Sequence, residues 1–159
     1  MLIDPALQAT QTAHAALPPL PTDERERLEE LLSYAILDTA PEAAFNDIAE
    51  LATMICGMPM ALVSLVDDHR QWFKAHVGLT ASQTPRSIAF CEHAIRQEQP
   101  LVVCDAADPR FAANPLVTGS PGLRFYAGAQ LTSPAGHRLG TLCVLDDKPH
   151  AEGLSDAPR

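Results

Sequence analysis

The chain has 159 residues, enough for one domain with a proper core, and its 47% hydrophobic against 19% charged residues suit a globular protein rather than a disordered one. Net charge is −9, from 11 Lys and Arg against 20 Asp and Glu; that sign repels a phosphate backbone and no basic stripe offsets it, which argues against nucleic-acid binding. No apolar run reaches the roughly 18 residues of a spanning helix and the N-terminus lacks a secretory signal, so no membrane association is expected and the cytoplasm is the expected location.

In chain order, residues 1–21 are rich in Ala, Pro and Thr and read as a leader. The stretch "TDERERLEELLSYAIL" over residues 22–37 predicts an amphipathic helix, with a Thr22 cap, acids in its first turn and Leu28, Leu31, Leu32 and Ala35 at helical spacing. A second helix is predicted from Glu42 to Cys56, with Phe45, Ile48, Ala49, Ala52 and Ile55 as one stripe and Gly57 as its stop. The period then changes. "MALVSLVDD" and "QWFKAHVG" predict an antiparallel hairpin around "DDHR". Ser87 opens a short helix to about Gln97, "LVVCDA" is a strand, and "DPRFAANPLVTGSPG" is loop and turn. Two last strands, "LRFYAGAQLT" and "RLGTLCVLDD", flank the turn "SPAGH", and residues 151–159 form a tail. This order is not the alternation of a doubly wound sheet. It predicts an α+β fold: an antiparallel sheet of five or six strands with the helices segregated to one face.

Several of these phrases together resemble a GAF domain, in particular the sensory modules at the N-termini of bacterial diguanylate cyclases and sensor histidine kinases. They include "FCEHAI", "DPRF", "RFYAGA" and "LGTLCVLD", and the likeness spans residues 37–150. The resemblance implies a small-molecule cavity on the face opposite the N-terminal helices, roofed by loops and short helices. It also implies a non-catalytic signalling role, with an output domain, a cyclase or kinase, in a longer chain of which this is a fragment. Terminal helices of such modules pair between subunits, so a homodimer is expected through the helix of residues 22–36, with Leu28, Leu31 and Leu32 in contact. A pure dimerisation module with a filled cavity is a third reading.

The cysteines decide whether chemistry belongs to the domain. Cys56, Cys91, Cys104 and Cys143 form no CxxC pair and lie in or beside apolar runs, where a free thiol behaves as a small hydrophobe; no disulfide is expected. In "FCEHAI" Cys91 and His93 stand two apart, about 200° around a helix, so they do not form a nucleophile and base. Phytochrome-type relatives attach a bilin near such a pair, but the accompanying Asp-Ile-Pro motif is missing, and no cofactor is expected. An enzymatic alternative is a free methionine sulfoxide reductase of the same fold, using Cys91, Cys104 or Cys143. The histidines are dispersed, so no metal site is expected, and the cyclic-nucleotide motif of phosphodiesterase GAF domains is absent.

What remains is a candidate ligand pocket. Trp72 and Phe73 are adjacent on a strand, so one packs under the helices and the other faces the cavity; Phe125 and Tyr126 alternate likewise. The expected ligand-binding set is Trp72, Phe73, Arg86, Phe90, Cys91, Asp105, Phe111 and Tyr126, with structural salt links the competing role for Asp105, Asp108 and Arg110.

Overall fold

The computed structural model describes residues 23–154; the 1–21 leader, Thr22 and residues 155–159 of the tail lie outside the described residues. Six strands form one antiparallel sheet: β1 (Met60–Val66), β2 (Arg70–Val77), β3 (Gln83–Pro85), β4 (Leu101–Val103), β5 (Phe125–Thr132) and β6 (Arg138–Asp146). Their spatial order is β3-β2-β1-β6-β5-β4. β1 and β2 are the anticipated hairpin, pairing Ala61 with Val77 and Val66 with Gln71. β1 lies at the middle of the sheet and is buried along its whole length, which explains its unbroken apolar run. Gly140 on β6 faces Leu65, and a Cβ there would lie 1.9 Å from the Ser64 carbonyl oxygen. Only glycine lets the two strands approach this closely.

Alternation sorts the sheet into two faces. Ala61, Val63, Ala75, Phe125, Ala127 and Val144 meet helix α2 (Ala43–Cys56) on one side. Leu62, Phe73, Tyr126, Cys143 and Leu145 build a separate core on the other, under helix α3 (Phe90–Ala94). α2 ends where anticipated, on Gly57 with a left-handed φ of 63°. Its buried stripe differs from expectation. Phe45, Ala49, Ala52 and Cys56 turn inward, whereas Ile48 and Ile55 are 44% and 61% exposed. Small Ala49 is wholly buried against the sheet, and the bulkier isoleucines are rotated away from it.

Helix α1 (Glu24–Ser33) is shorter than the predicted helix, and Asp23 stands at its N-cap position. Ala35 adopts a φ of 49°, which turns the chain out of the helix before Leu37. The leucine stripe is also split. Leu31 is wholly buried with Leu65, Trp72 and Leu139, while Leu32, one residue on, is 62% exposed. Leu31 therefore belongs to the protomer's own core and cannot supply a subunit contact. The helix anticipated from Ser87 to Gln97 is a 3-10 turn (Arg86–Ile88) followed by the short α3. The long loop contains a single-turn helix, α4 (Pro115–Thr118), whose Leu116 amide donates to the Asn114 side chain at 2.9 Å. Among the described residues, no helix is long and apolar enough to cross a membrane.

Candidate functional site

On the face away from α2, a cavity of about 180 Å³ separates the sheet from its loop roof. Leu62, Gln71, Phe73, Tyr126 and Leu145 form its floor, one or two from each of four strands, and Phe90 and Cys91 of α3 form a wall. Leu79, Thr80, Ala81 and Thr84 from the segment around β3, with Leu116, Ser120, Pro121 and Leu123, complete the lining. Thr80, Ala81 and Ser120 are exposed and mark the mouth. Phe90 is held flat between two rings, with its centroid 4.7 Å from Phe111 and 5.4 Å from Tyr126.

Of the expected set, Phe73, Phe90, Cys91 and Tyr126 line the cavity. Phe111 stands behind Phe90 as its packing partner. Trp72 points to the other face and packs against Leu31, so β2 gives Phe73 to the cavity and Trp72 to the helix side. Arg86 does not line this cavity either. Its guanidinium binds Glu92 of α3 at 2.5 Å and Glu24 of α1 at 2.7 Å, and donates to the Asp67 carbonyl at 3.1 Å. Glu92 also takes Arg96, and Glu24 takes Arg27 at 2.8 Å. Asp105 lies outside the cavity and forms a two-point link to Arg124 at 2.9 and 3.1 Å. Asp108 accepts from the Arg110 amide at 2.9 Å and pairs with its guanidinium. These are the structural roles that competed with ligand binding for Asp105, Asp108 and Arg110, and among the described residues no Arg, Lys, Asp or Glu lines the cavity.

Gln71, a residue the sequence did not single out, belongs to the same lining and is buried, at 4% exposure. Its Nε2 donates to Thr84 Oγ1 at 3.1 Å across the β2–β3 pair, and its Oε1 is buried without a partner. The signal for it was parity: residues 71 and 73 share a strand face.

Beneath Phe90 the floor becomes polar. Cys91 Sγ lies 2.9 Å from Thr141 Oγ1, and the Tyr126 hydroxyl donates to Cys91 Sγ at 3.3 Å. The Tyr126 ring fills the space left by Gly128, where a Cβ would sit 2.2 Å from the Tyr126 oxygen. Burial alone would push the Cys91 thiol up, but hydrogen bonding, chiefly with Cys143, Thr141 and Tyr126, outweighs it and brings the thiol down to about 7. Burial raises Cys143, and Tyr126 for the same reason. Of the three cysteines expected to converge, Cys91 alone lines the cavity; Cys143 is buried beside it in the core beneath, and Cys104 belongs to neither group. His93 turns away from Cys91 and meets the Phe111 ring edge-on at 5.0 Å. Among the described residues, no group of three His, Cys, Asp or Glu could hold a metal ion.

Residues 40–157 match the GAF domain family. Over 135 residues the chain is 44% identical to a cyclic di-GMP phosphodiesterase of Pseudomonas aeruginosa, a match covering 84% of this chain and 23% of that protein, so the chain spans under a quarter of that relative's length. Among solved structures, the GAF domain of an Acinetobacter phosphoenolpyruvate-protein phosphotransferase aligns with a TM-score of 0.56 at 16% identity, covering 82% of this chain and 81% of that one. The free methionine-R-sulfoxide reductase of Neisseria meningitidis, solved with its substrate, aligns at 0.55 and 22% identity, covering 86% and 83%. At these identities the structural likenesses establish the fold alone.

Proposed function

The chain belongs to the GAF domain family, and from that premise we propose that it is a sensory domain, without catalysis of its own, that holds a small cytoplasmic molecule and passes its presence to an output domain through the terminal helices. The cavity between the sheet and α3 is the observation that carries this reading: aromatic walls, a buried polar anchor and an exposed mouth are what a ligand site needs. The Pseudomonas relative's name supports a cyclic di-GMP output alongside the cyclase or kinase that the sequence suggested.

The contacts of α3 support such a relay. α3 gives Phe90 and Cys91 to the cavity and Glu92 to Arg86, and Arg86 holds Glu24 of α1. A ligand that displaces α3 pulls on the N-terminal helix through that guanidinium. We place a homodimer contact on the exposed apolar residues of the same layer, Leu32 with Ile48, Leu51 and Ile55 of α2.

One observation favours the reductase as a second reading: a lowered thiol at the cavity floor beside a second cysteine. Against it, free methionine sulfoxide is a zwitterion, and among the described residues the lining holds no Arg, Lys, Asp or Glu to meet its two charges. Mass spectrometry of small molecules released from protein purified from its own cell tests the sensory reading. A released molecule that raises Tm when added back supports it. Turnover of methionine sulfoxide with a thiol reductant, abolished in Cys91→Ser, would replace it with the reductase.

A further inference from the structure

Beneath the cavity lie two thiols that the sensory reading does not use. We propose that Cys91 and Cys143 are a redox pair: a small hydroperoxide entering the cavity oxidises Cys91, and Cys143 closes on it to form a disulfide that ties α3 to β6.

Three elements assemble the pair. Cys91 comes from α3, Tyr126 from β5, and Cys143 with Thr141 from one face of β6. The two thiols are hydrogen-bonded to each other. Thr141 Oγ1 stands 2.9 Å from Cys91 Sγ, and the Tyr126 hydroxyl donates to the same sulfur at 3.3 Å. Gly128 lies opposite Cys143 across β5 and β6, and its missing side chain leaves the space that the Tyr126 hydroxyl occupies. Both cysteines are 1% exposed, and of the two only Cys91 lines the cavity. Such burial excludes a bulky disulfide as oxidant, whereas about 180 Å³ behind an open mouth admits a molecule of a few heavy atoms.

The two sulfurs divide the roles. Burial opposes ionisation of Cys91, but the hydrogen bonds that reach it outweigh burial and bring the thiol down to about 7. Burial holds Cys143 up, so it keeps its proton. The Cys91 thiolate attacks one peroxide oxygen: an S–O bond forms and the O–O bond breaks. The other oxygen leaves as an alcohol, or as water from hydrogen peroxide, with the proton that Cys91 released on ionising. Cys91 is then a sulfenic acid. Cys143 attacks its sulfur, the S–S bond forms, the S–O bond breaks, and water departs with the Cys143 proton. Two thiols have given two electrons to one peroxide. A disulfide holds its sulfurs about 2 Å apart, closer than two hydrogen-bonded thiols stand, so closure draws α3 toward β6. Glu92, next to Cys91, is tied through Arg86 to Glu24, and the shift reaches α1 by that link.

Exposure alone predicts the opposite order of reaction, because Cys56 and Cys104 are half-buried while Cys91 and Cys143 are fully buried. The test treats the purified, reduced chain with hydrogen peroxide, alkylates the remaining thiols in denaturant and maps the peptides by mass spectrometry. Two of the four cysteines should be lost as one peptide linking Cys91 to Cys143, at least about tenfold faster than Cys56 or Cys104 is oxidised. In Cys143→Ala, Cys91 should stop at the sulfenic acid and be trapped by dimedone; in Cys91→Ala, Cys143 should stay reduced. The wild-type map stands even if neither variant folds. Oxidation of Cys56 or Cys104 with Cys91 and Cys143 intact overturns the pair. Oxidised Cys91 without a link to Cys143 overturns the resolving role. A link formed by free methionine sulfoxide and not by peroxide overturns the choice of oxidant and favours the reductase. Hydrogen exchange of the α1 amides should change at least about threefold on oxidation, and no change overturns the relay to α1.

Discussion

Replacing Arg86 with methionine separates a strut from a ligand-binding group. Arg86 is one guanidinium shared by two carboxylates on different elements, Glu92 of α3 and Glu24 of α1, and Glu92 is only 3% exposed. Removing one partner of a buried pair costs about 3–5 kcal/mol when the remaining charge is left alone. Here neither carboxylate is left alone, because Glu92 keeps Arg96 and Glu24 keeps Arg27. The cost should therefore sit at or below the lower end, about 2–3 kcal/mol, a fall in Tm of about 4–12 °C for a chain of this length. Urea unfolding of the wild type, Arg86→Met, Glu24→Gln and the double variant measures it. The cycle should show a coupling of about 1 kcal/mol between Arg86 and Glu24, and the affinity for any small molecule released from the native protein should change less than about threefold, because Arg86 does not line the cavity. A stability change under about 0.5 kcal/mol, the size of an ordinary surface substitution, together with a large loss of cavity affinity, would refute the strut and restore Arg86 as a ligand group.

Acid should weaken the same junction. Burial alone would raise the Glu24 carboxyl, but the hydrogen bonds from Arg27 and Arg86 outweigh it and hold it at about 2, below its ordinary 4.5. A depressed carboxyl contributes stability that is whole above pH 4.5 and is lost as pH falls toward 2, so Glu24→Gln should flatten the pH dependence of Tm in that window; an unchanged slope argues against it. Gly140→Ala places a methyl on the Ser64 carbonyl, which is backbone and cannot swing aside, so a loss of at least about 2 kcal/mol is expected in denaturant unfolding. Gly57→Ala, with open space around it and only a left-handed φ to maintain, should cost about 1 kcal/mol, and equal costs at the two sites would contradict the close-approach account of Gly140. Light scattering at micromolar concentration should give a dimer that Ile55→Glu dissociates, and a wild-type monomer would remove the proposed helix-layer contact.

The period change after Gly57 made the fold legible, because helix and strand repeats are local and the turn residues between them are explicit. Sidedness was harder. Adjacent Trp72 and Phe73 had to face opposite ways, but which faced the cavity depends on the register of β2 against β1, where a bulge between Val63 and Ser64 intervenes. Leu31 and Leu32 pose the same problem on a helix: about 100° of rotation divides a core residue from an exposed one, and the docking angle of α1 is a tertiary property. The charged candidates were misplaced for a related reason. Arg86 and Glu24 are 62 residues apart, and nothing local to either announces the other.

The division of labour between charge and cavity nevertheless has a physical logic. An arginine or aspartate facing an apolar cavity without a fixed partner would be a buried uncompensated ion, so a stable chain commits such groups elsewhere. Arg86, Asp105 and Asp108 are so committed, to Glu92, Arg124 and Arg110. A neutral amide carries far less of that cost, and Gln71, at 4% exposure, is the amide of the lining. The five residues of α3 join the two systems: Phe90 and Cys91 feel the cavity, while Glu92 is tied through Arg86 to the first helix. Arg138 joins the same two helices a second way, its guanidinium donating to the Ile95 carbonyl at the end of α3 at 2.6 Å and its own carbonyl accepting from Arg27 of α1 at 3.4 Å.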